Sequence, residues 1–286
     1  MLSLKKIIIL KVLILSFTSC SLVGEWAYSR LDSYLANYFF QYANFNRDQK
    51  SIINNIAKDF HYWHEVNEMP KYKKILESVK SFDEGVTHGE VEILYLNLFD
   101  SFKSSNNFFI PHIVTFSKNL NDSQVSQIDK HFLEIIEKRK RALKKSKTQN
   151  FKDQTLKNSI DGFKRVGIRI NEKQKININR HINLMEDIRI ESINMQDSWN
   201  KKLIKILMLR ENKDFEILLL EHLKLSGDFL DGELKIIESE NRLLTFKLIS
   251  STLNNLDTQQ KKSYKKRIDS YIRLIDRVIR NSKLLS

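Results

Sequence analysis

The chain has 286 residues, 41% of them hydrophobic, and 48 Lys and Arg against 35 Asp and Glu give a formal net charge of +13. That content is enough for a sizeable buried core. Two prolines and seven glycines exclude a chain of many short strands and turns and favour long helices, while a single cysteine excludes a disulfide framework.

Taken in order, the chain opens with Lys5, Lys6 and Lys11 around an apolar run, Ile7 to Phe17, closed by Thr18-Ser19-Cys20. A basic start, a short apolar stretch and small residues describe a secretory signal, and the run falls short of the roughly 20 apolar residues that span a bilayer. An ordinary signal with an incidental cysteine, or an uncleaved anchor, would leave the same trace. A cysteine directly after the small residues resembles the lipobox of bacterial lipoproteins. That resemblance implies cleavage before Cys20, which would then carry the lipid (palmitate). Residues 1–19 would be a signal peptide and residues 20–286 a lipid-anchored all-helical domain, with room for a subdivision near 148–170. Ser21, in place of an aspartate, implies the periplasmic face of the outer membrane. Residues 1–19 hold three lysines and no acid, so most of the positive excess belongs to the body. In that compartment it points to an anionic surface or to plain solubility, not to nucleic acid.

Residues 21–45 are rich in aromatics, and Leu31, Tyr34, Leu35, Tyr38, Phe39 and Tyr42 recur at helical spacing. Such a stripe suits a core helix, or a helix at a membrane interface. A device then repeats four times: Phe45-Asn46-x-x-Gln49, Leu120-Asn121-x-x-Gln124, Ile170-Asn171-x-x-Gln174 and Leu256-Asp257-x-x-Gln260. Each is a capping box, in which the Asn or Asp accepts from a first-turn N–H and the Gln reaches back to the N–H of the cap. Four residues after each Gln stand Ile53, Ile128, Ile178 and Tyr264; eight after, Ala57, Phe132, Ile182 and Ile268; eleven after, Phe60, Ile135, Met185 and Tyr271. These offsets share one helix face, so each cap opens an amphipathic helix. Further helices are expected over 47–67, 71–83, 87–104 (opened by a Thr87/Glu90 box), 108–118 with Pro111 in its first turn, 122–147, 150–166, 172–210 as one helix or two joined near Asn194, 212–225, 228–254 and 258–283. Ser104-Ser105-Asn106-Asn107 reads as a turn. No alternating strand pattern is present, and the fold class expected is an all-α bundle of long amphipathic helices.

Two features are candidates for chemistry. His61 and His64, three apart on one helix side with Glu68 one turn on, could bind a metal, although no HExxH or second close pair accompanies them. His131 and His181 occupy the same repeat position, seven after the Gln, as packing residues would. There is no nucleophile elbow and no phosphate loop, so neither catalytic residues nor a cofactor are assigned. The second feature is basic. Lys138, Arg139, Lys140, Arg141, Lys144 and Lys145 form one run, and Lys261, Lys262, Lys265, Lys266 and Arg267 a second cluster. Either is a solvated face or a contact with anionic lipid.

With Cys20, the Trp63-His64-x3-Glu68-Met69-Pro70-x-Tyr72 segment, the Asn121-x-x-Gln124 start, Ser198-Trp199 and Leu256-Asp257-x-x-Gln260, the chain resembles an uncharacterised family of proteobacterial outer-membrane lipoproteins. The resemblance implies a helical fold and a lipid anchor and carries no activity. The repeated starts are also similar to the LTxxQ repeats of small periplasmic helical stress chaperones. The function expected is a non-enzymatic binding or scaffold protein of the envelope, in its sharper form chaperone-like, with the membrane and an envelope protein or anionic lipid as partners. The alternative is a metal-dependent envelope enzyme using His61, His64 and Glu68.

Overall fold

A computed structural model describes residues 21–145, 150–224, 230 and 232–285, and the signal segment with Cys20 lies outside them. Among the described residues there are twelve α-helices and no strand, which is the all-α class expected. The first is α1 (Ser21–Tyr28), followed by α2 (Leu31–Phe40), α3 (Arg47–Asn67) and α4 (Met69–Val79). Then come α5 (His88–Ser117), α6 (Asp122–Lys145), α7 (Phe151–Arg165) and α8 (Glu172–Asn183). The last four are α9 (Arg189–Met208), α10 (Phe215–Lys224), α11 (Gly232–Leu253) and α12 (Thr258–Leu285).

All four capping boxes form, each opening a helix just after a tight turn: α2 to α3, α5 to α6, α7 to α8 and α11 to α12. Of these, α2–α3 and α7–α8 also pack together as hairpins. The glutamines do more than cap. Gln49 Nε2 donates to Gln124 Oε1 at 3.0 Å, and Gln124 Nε2 donates back to Gln49 Oε1 at 2.6 Å. Gln174 and Gln260 form the same reciprocal pair at 3.0 and 2.9 Å. The second N–H of each amide goes to the carbonyl five residues before its partner: Asn119, Asn44, Asn255 and Arg169. Every glutamine therefore fills two acceptor and two donor positions, which makes it tolerable at 4–7% exposure. The first two of these turns are joined by one such pair, and the last two by the other.

Two cores form beside these joints. One gathers α2, α3, the second half of α5, α6, α9 and α10 around Phe60, Phe109, Val125, Leu207 and Phe215. The other surrounds Ile168, Ile178, Ile182, Phe246, Tyr264 and Ile268. Both draw on residues from either side of the 148–170 segment, and α12 runs through both, giving Tyr264 and Ile268 to one and Ile275 and Val278 to the other. Positions four and eight after each glutamine are all buried; at eleven, Phe60, Met185 and Tyr271 are, while Ile135 yields its place to Ile136.

Three local expectations are corrected. Residues 104–107 do not turn. They continue α5, with Pro111 inside a 30-residue helix rather than at its start. Ser101 and Ser105 are buried there, and the Ser105 hydroxyl donates to the Ser101 carbonyl at 3.0 Å. Serines that satisfy themselves on their own helix let it pack closely instead of breaking it. The long 172–210 segment breaks at 184–188, not near Asn194. Asn241 holds the break open from α11, accepting from Glu186 N–H at 3.0 Å and donating to Glu186 O at 2.9 Å. The aromatic stretch 21–45 splits at Ser29-Arg30. Tyr28, Leu31 and Leu35 enter the core, and Trp26 and Tyr34 stay about half-exposed.

Candidate functional site

The Phe60–Tyr72 segment supplies a cluster in which buried polar groups, His64 and Glu68, sit among aromatic rings. It is assembled from the last turn of α3, the start of α4 and the α1–α2 corner. His64 is 1% exposed, and its Nδ1 lies 2.8 Å from the Tyr28 hydroxyl. The rings of Phe60, Tyr28 and Tyr72 surround it at centroid distances of 5.5, 5.9 and 5.6 Å. Burial, and secondarily the nearby His61, holds its pKa down to about 3. His64 is therefore neutral at ordinary pH. Burial raises both tyrosine hydroxyls as well, with Glu65 adding to the effect on Tyr28 and Glu68 to that on Tyr72.

A depressed histidine is a statement about stability. Between pH 6.5 and 3 the unfolded chain binds a proton that the folded one refuses, so stability is lost as pH falls through that window. By pH 5 the loss from His64 is about 2 kcal/mol. Urea unfolding at pH 7 and pH 5 is expected to show this difference in the parent and not in His64→Gln. Equal losses in both proteins would contradict the assignment.

His61 also packs edge-on against the Tyr28 ring, at 5.0 Å, but on its cleft side. Its Nε2 is 3.3 Å from Glu65 Oε1 and its Nδ1 3.9 Å from Asp32 Oδ1. It lines a cleft of about 350 Å³ together with Glu25, Asp32, Lys58, Glu65 and Asn281. Glu25 is already engaged by Arg277 Nε at 2.8 Å and Asn281 Nδ2 at 2.9 Å. Glu68 is fully buried, with Lys71 Nζ 2.7 Å from Oε1. The sequence-predicted trio is thus close along the chain but divided in its polar partners: His64 to the Tyr28 hydroxyl, His61 to Glu65, Glu68 to Lys71. Among the described residues, no three His, Cys, Asp or Glu side chains are placed to hold a metal ion. Tyr28, from a segment 36 residues away, was the partner sequence reasoning missed, and no local signal pointed to it.

Three of the other five histidines sit in packing positions. His131 lies against Tyr42 at 4.5 Å, His181 Nδ1 meets Asn177 O at 3.0 Å, and His222 stacks on Trp199 at 4.4 Å. The predicted basic run closes α6. Lys138, Arg141 and Lys144 are exposed, Lys140 is 4.0 Å from Glu137, and Arg139 is half-buried, with burial lowering its pKa. The side chain of Lys145 lies outside the described residues. The run is therefore not a uniform charged face.

Residues 41–230 match a family of unknown function (DUF6279). No match is found among curated proteins or solved structures.

Proposed function

The chain belongs to this DUF6279 family of unknown function, and on that footing we propose that it is a lipid-anchored helical binding or scaffold protein of the cell envelope, attached through Cys20 to the outer membrane and facing the periplasm. The observation that carries the reading is how soon after Cys20 the chain is tied into the folded body. Glu25, five residues on, is held by Arg277 and Asn281 from the last helix, and Tyr28 is buried in the core. A lipid on Cys20 would therefore hold this body close to the bilayer. No helix among the described residues is long and apolar enough to cross a membrane. The resemblance to lipoproteins and to LTxxQ-repeat chaperones supports the same reading. The capping glutamines, joining distant interhelix turns in pairs, tie the helical frame together and suit it to presenting a binding face.

Removal of the anchor tests the proposal. Cells expressing the parent are expected to incorporate a fatty-acid analogue into the protein and to keep it in the outer-membrane fraction. Cys20→Ala is expected to lose the label and leave that fraction. Persistent labelling of Cys20→Ala, or a parent that takes no label, would overturn the anchor.

A further inference from the structure

Helix α12 carries 28 residues and spans both cores. On it Lys262, Lys266, Arg273 and Arg280 are all exposed. At 100° per residue these four fall within about 40° of one another, and they extend over about 27 Å of helix. They form a straight stripe, and among the described residues none of the four has an ion pair. Two acids of the same helix, Asp269 and Asp276, lie on this face between the cations, and each is already neutralised: Asp269 by Lys80 Nζ at 2.7 Å and Asp276 by Lys73 Nζ at 2.6 Å. Lys265, turned from the stripe, pairs with Glu84 at 2.9 Å. The face thus keeps four cations that no acid balances.

The position of the stripe identifies its partner. Its Arg280 end adjoins Arg277 and Asn281, the residues that grip Glu25 in α1, so the stripe starts within a few residues of Ser21 and runs away from it. Trp26, beside Glu25, is 52% exposed with the Arg30 guanidinium 4.3 Å above its ring, a pairing suited to the headgroup layer. We propose that the Lys262–Lys266–Arg273–Arg280 stripe is a membrane-docking face that lays α12 along a bilayer rich in anionic phospholipid. This rests on the envelope reading above and adds an orientation to it: α12 is the underside of the body, and the surface away from α12 faces the periplasm. Four cations within reach of headgroups attract anionic lipid additively, and a Debye length of about 8 Å at physiological ionic strength makes the attraction sensitive to salt. The denser run at the end of α6 has no such geometry.

Vesicle co-sedimentation of the full chain bearing Cys20→Ala separates docking from lipidation, so failure of the stripe and failure of the anchor give different results. This protein is expected to bind phosphatidylglycerol-containing vesicles at low salt, to be released by added salt, and to ignore pure phosphatidylcholine. Adding Lys262→Gln, Lys266→Gln, Arg273→Gln and Arg280→Gln together is expected to weaken binding about a hundredfold. Adding Lys138→Gln, Arg141→Gln and Lys144→Gln is expected to weaken it less than threefold. Should the first set fail to fold, the charge-preserving set Lys262→Arg, Lys266→Arg, Arg273→Lys and Arg280→Lys takes its place and is expected to bind like the parent. Undiminished binding of the stripe variant, equal losses in both Gln sets, loss in the charge-preserving set, or a parent that binds a DNA duplex but not anionic vesicles would each overturn the proposal.

Discussion

Replacing Gln260 by Glu is expected to remove about 4 kcal/mol of stability at pH 7, the range for stranding a charge inside a protein. Gln260 donates to Arg169 O at 2.6 Å and to Gln174 Oε1 at 2.9 Å. A carboxylate has no hydrogen to give either acceptor, so it would set oxygen against oxygen in a site that is 7% exposed. Protonating that carboxylate restores one donor, and the deficit relative to the parent should shrink as pH falls through the carboxyl range. Gln124→Glu is expected to behave alike in the other pair, where its partners are Asn44 O and Gln49 Oε1. Denaturant unfolding measures both. A Glu variant as stable as the parent at pH 7 would show that the amides are not joined in reciprocal pairs.

Gly167→Ala is expected to cost about 3 kcal/mol, from a strained backbone added to a steric clash. Gly167 has φ +86°, and a Cβ there would lie 2.7 Å from the Ser263 carbonyl oxygen and 3.1 Å from Arg267 Cβ. The α7–α8 turn is laid directly on the first turns of α12, and only a residue without a side chain lets it approach. Gly85 is the control. Its φ is +143° but a Cβ would meet nothing within 4 Å, so Gly85→Ala pays only the backbone strain, about 1 kcal/mol. Thermal or urea unfolding of the two variants is expected to rank them in that order. The opposite ranking would mean that the α7–α8 turn does not pack against α12.

What could be read in the sequence was local. Asn121 and Gln124 stand three residues apart, so a capping box is visible without knowing where the rest of the chain goes, and all four helix starts were placed by it. The amphipathic face behind each box followed from spacing, which is why Ile178, Ile182 and Ile268 are fully buried as expected. The pairing of the glutamines was hidden because the members lie 75 and 86 residues apart. The unused capacity was there to notice, since a box occupies one acceptor position of an amide and leaves two donors idle. The same distance effect explains the break at 184–188, which depends on Asn241 from 55 residues away. Composition misled at 104–107: two serines and two asparagines look like a turn, yet Ser105 is wholly buried against its own helix.

The candidate site divides likewise. His61 and His64 were legible as neighbours on α3, but their opposite partners, Asp32 and Tyr28, come from α2 and α1. Charge density drew attention to residues 138–145, where Arg139 is half-buried and Lys140 lies near Glu137. The sparser α12 stripe extends past the Lys261–Arg267 cluster to Arg273 and Arg280. Its signal is a helical period rather than a run.

The central claim is that the folded body is anchored through a lipidated Cys20. Mass spectrometry of the N-terminal peptide from protein extracted from membranes tests it most directly. The claim predicts a peptide whose first residue is Cys20, heavier than its sequence by an acylated glycerol, with residues 1–19 gone. A peptide starting at another residue, or one in which Cys20 carries no lipid, would contradict it.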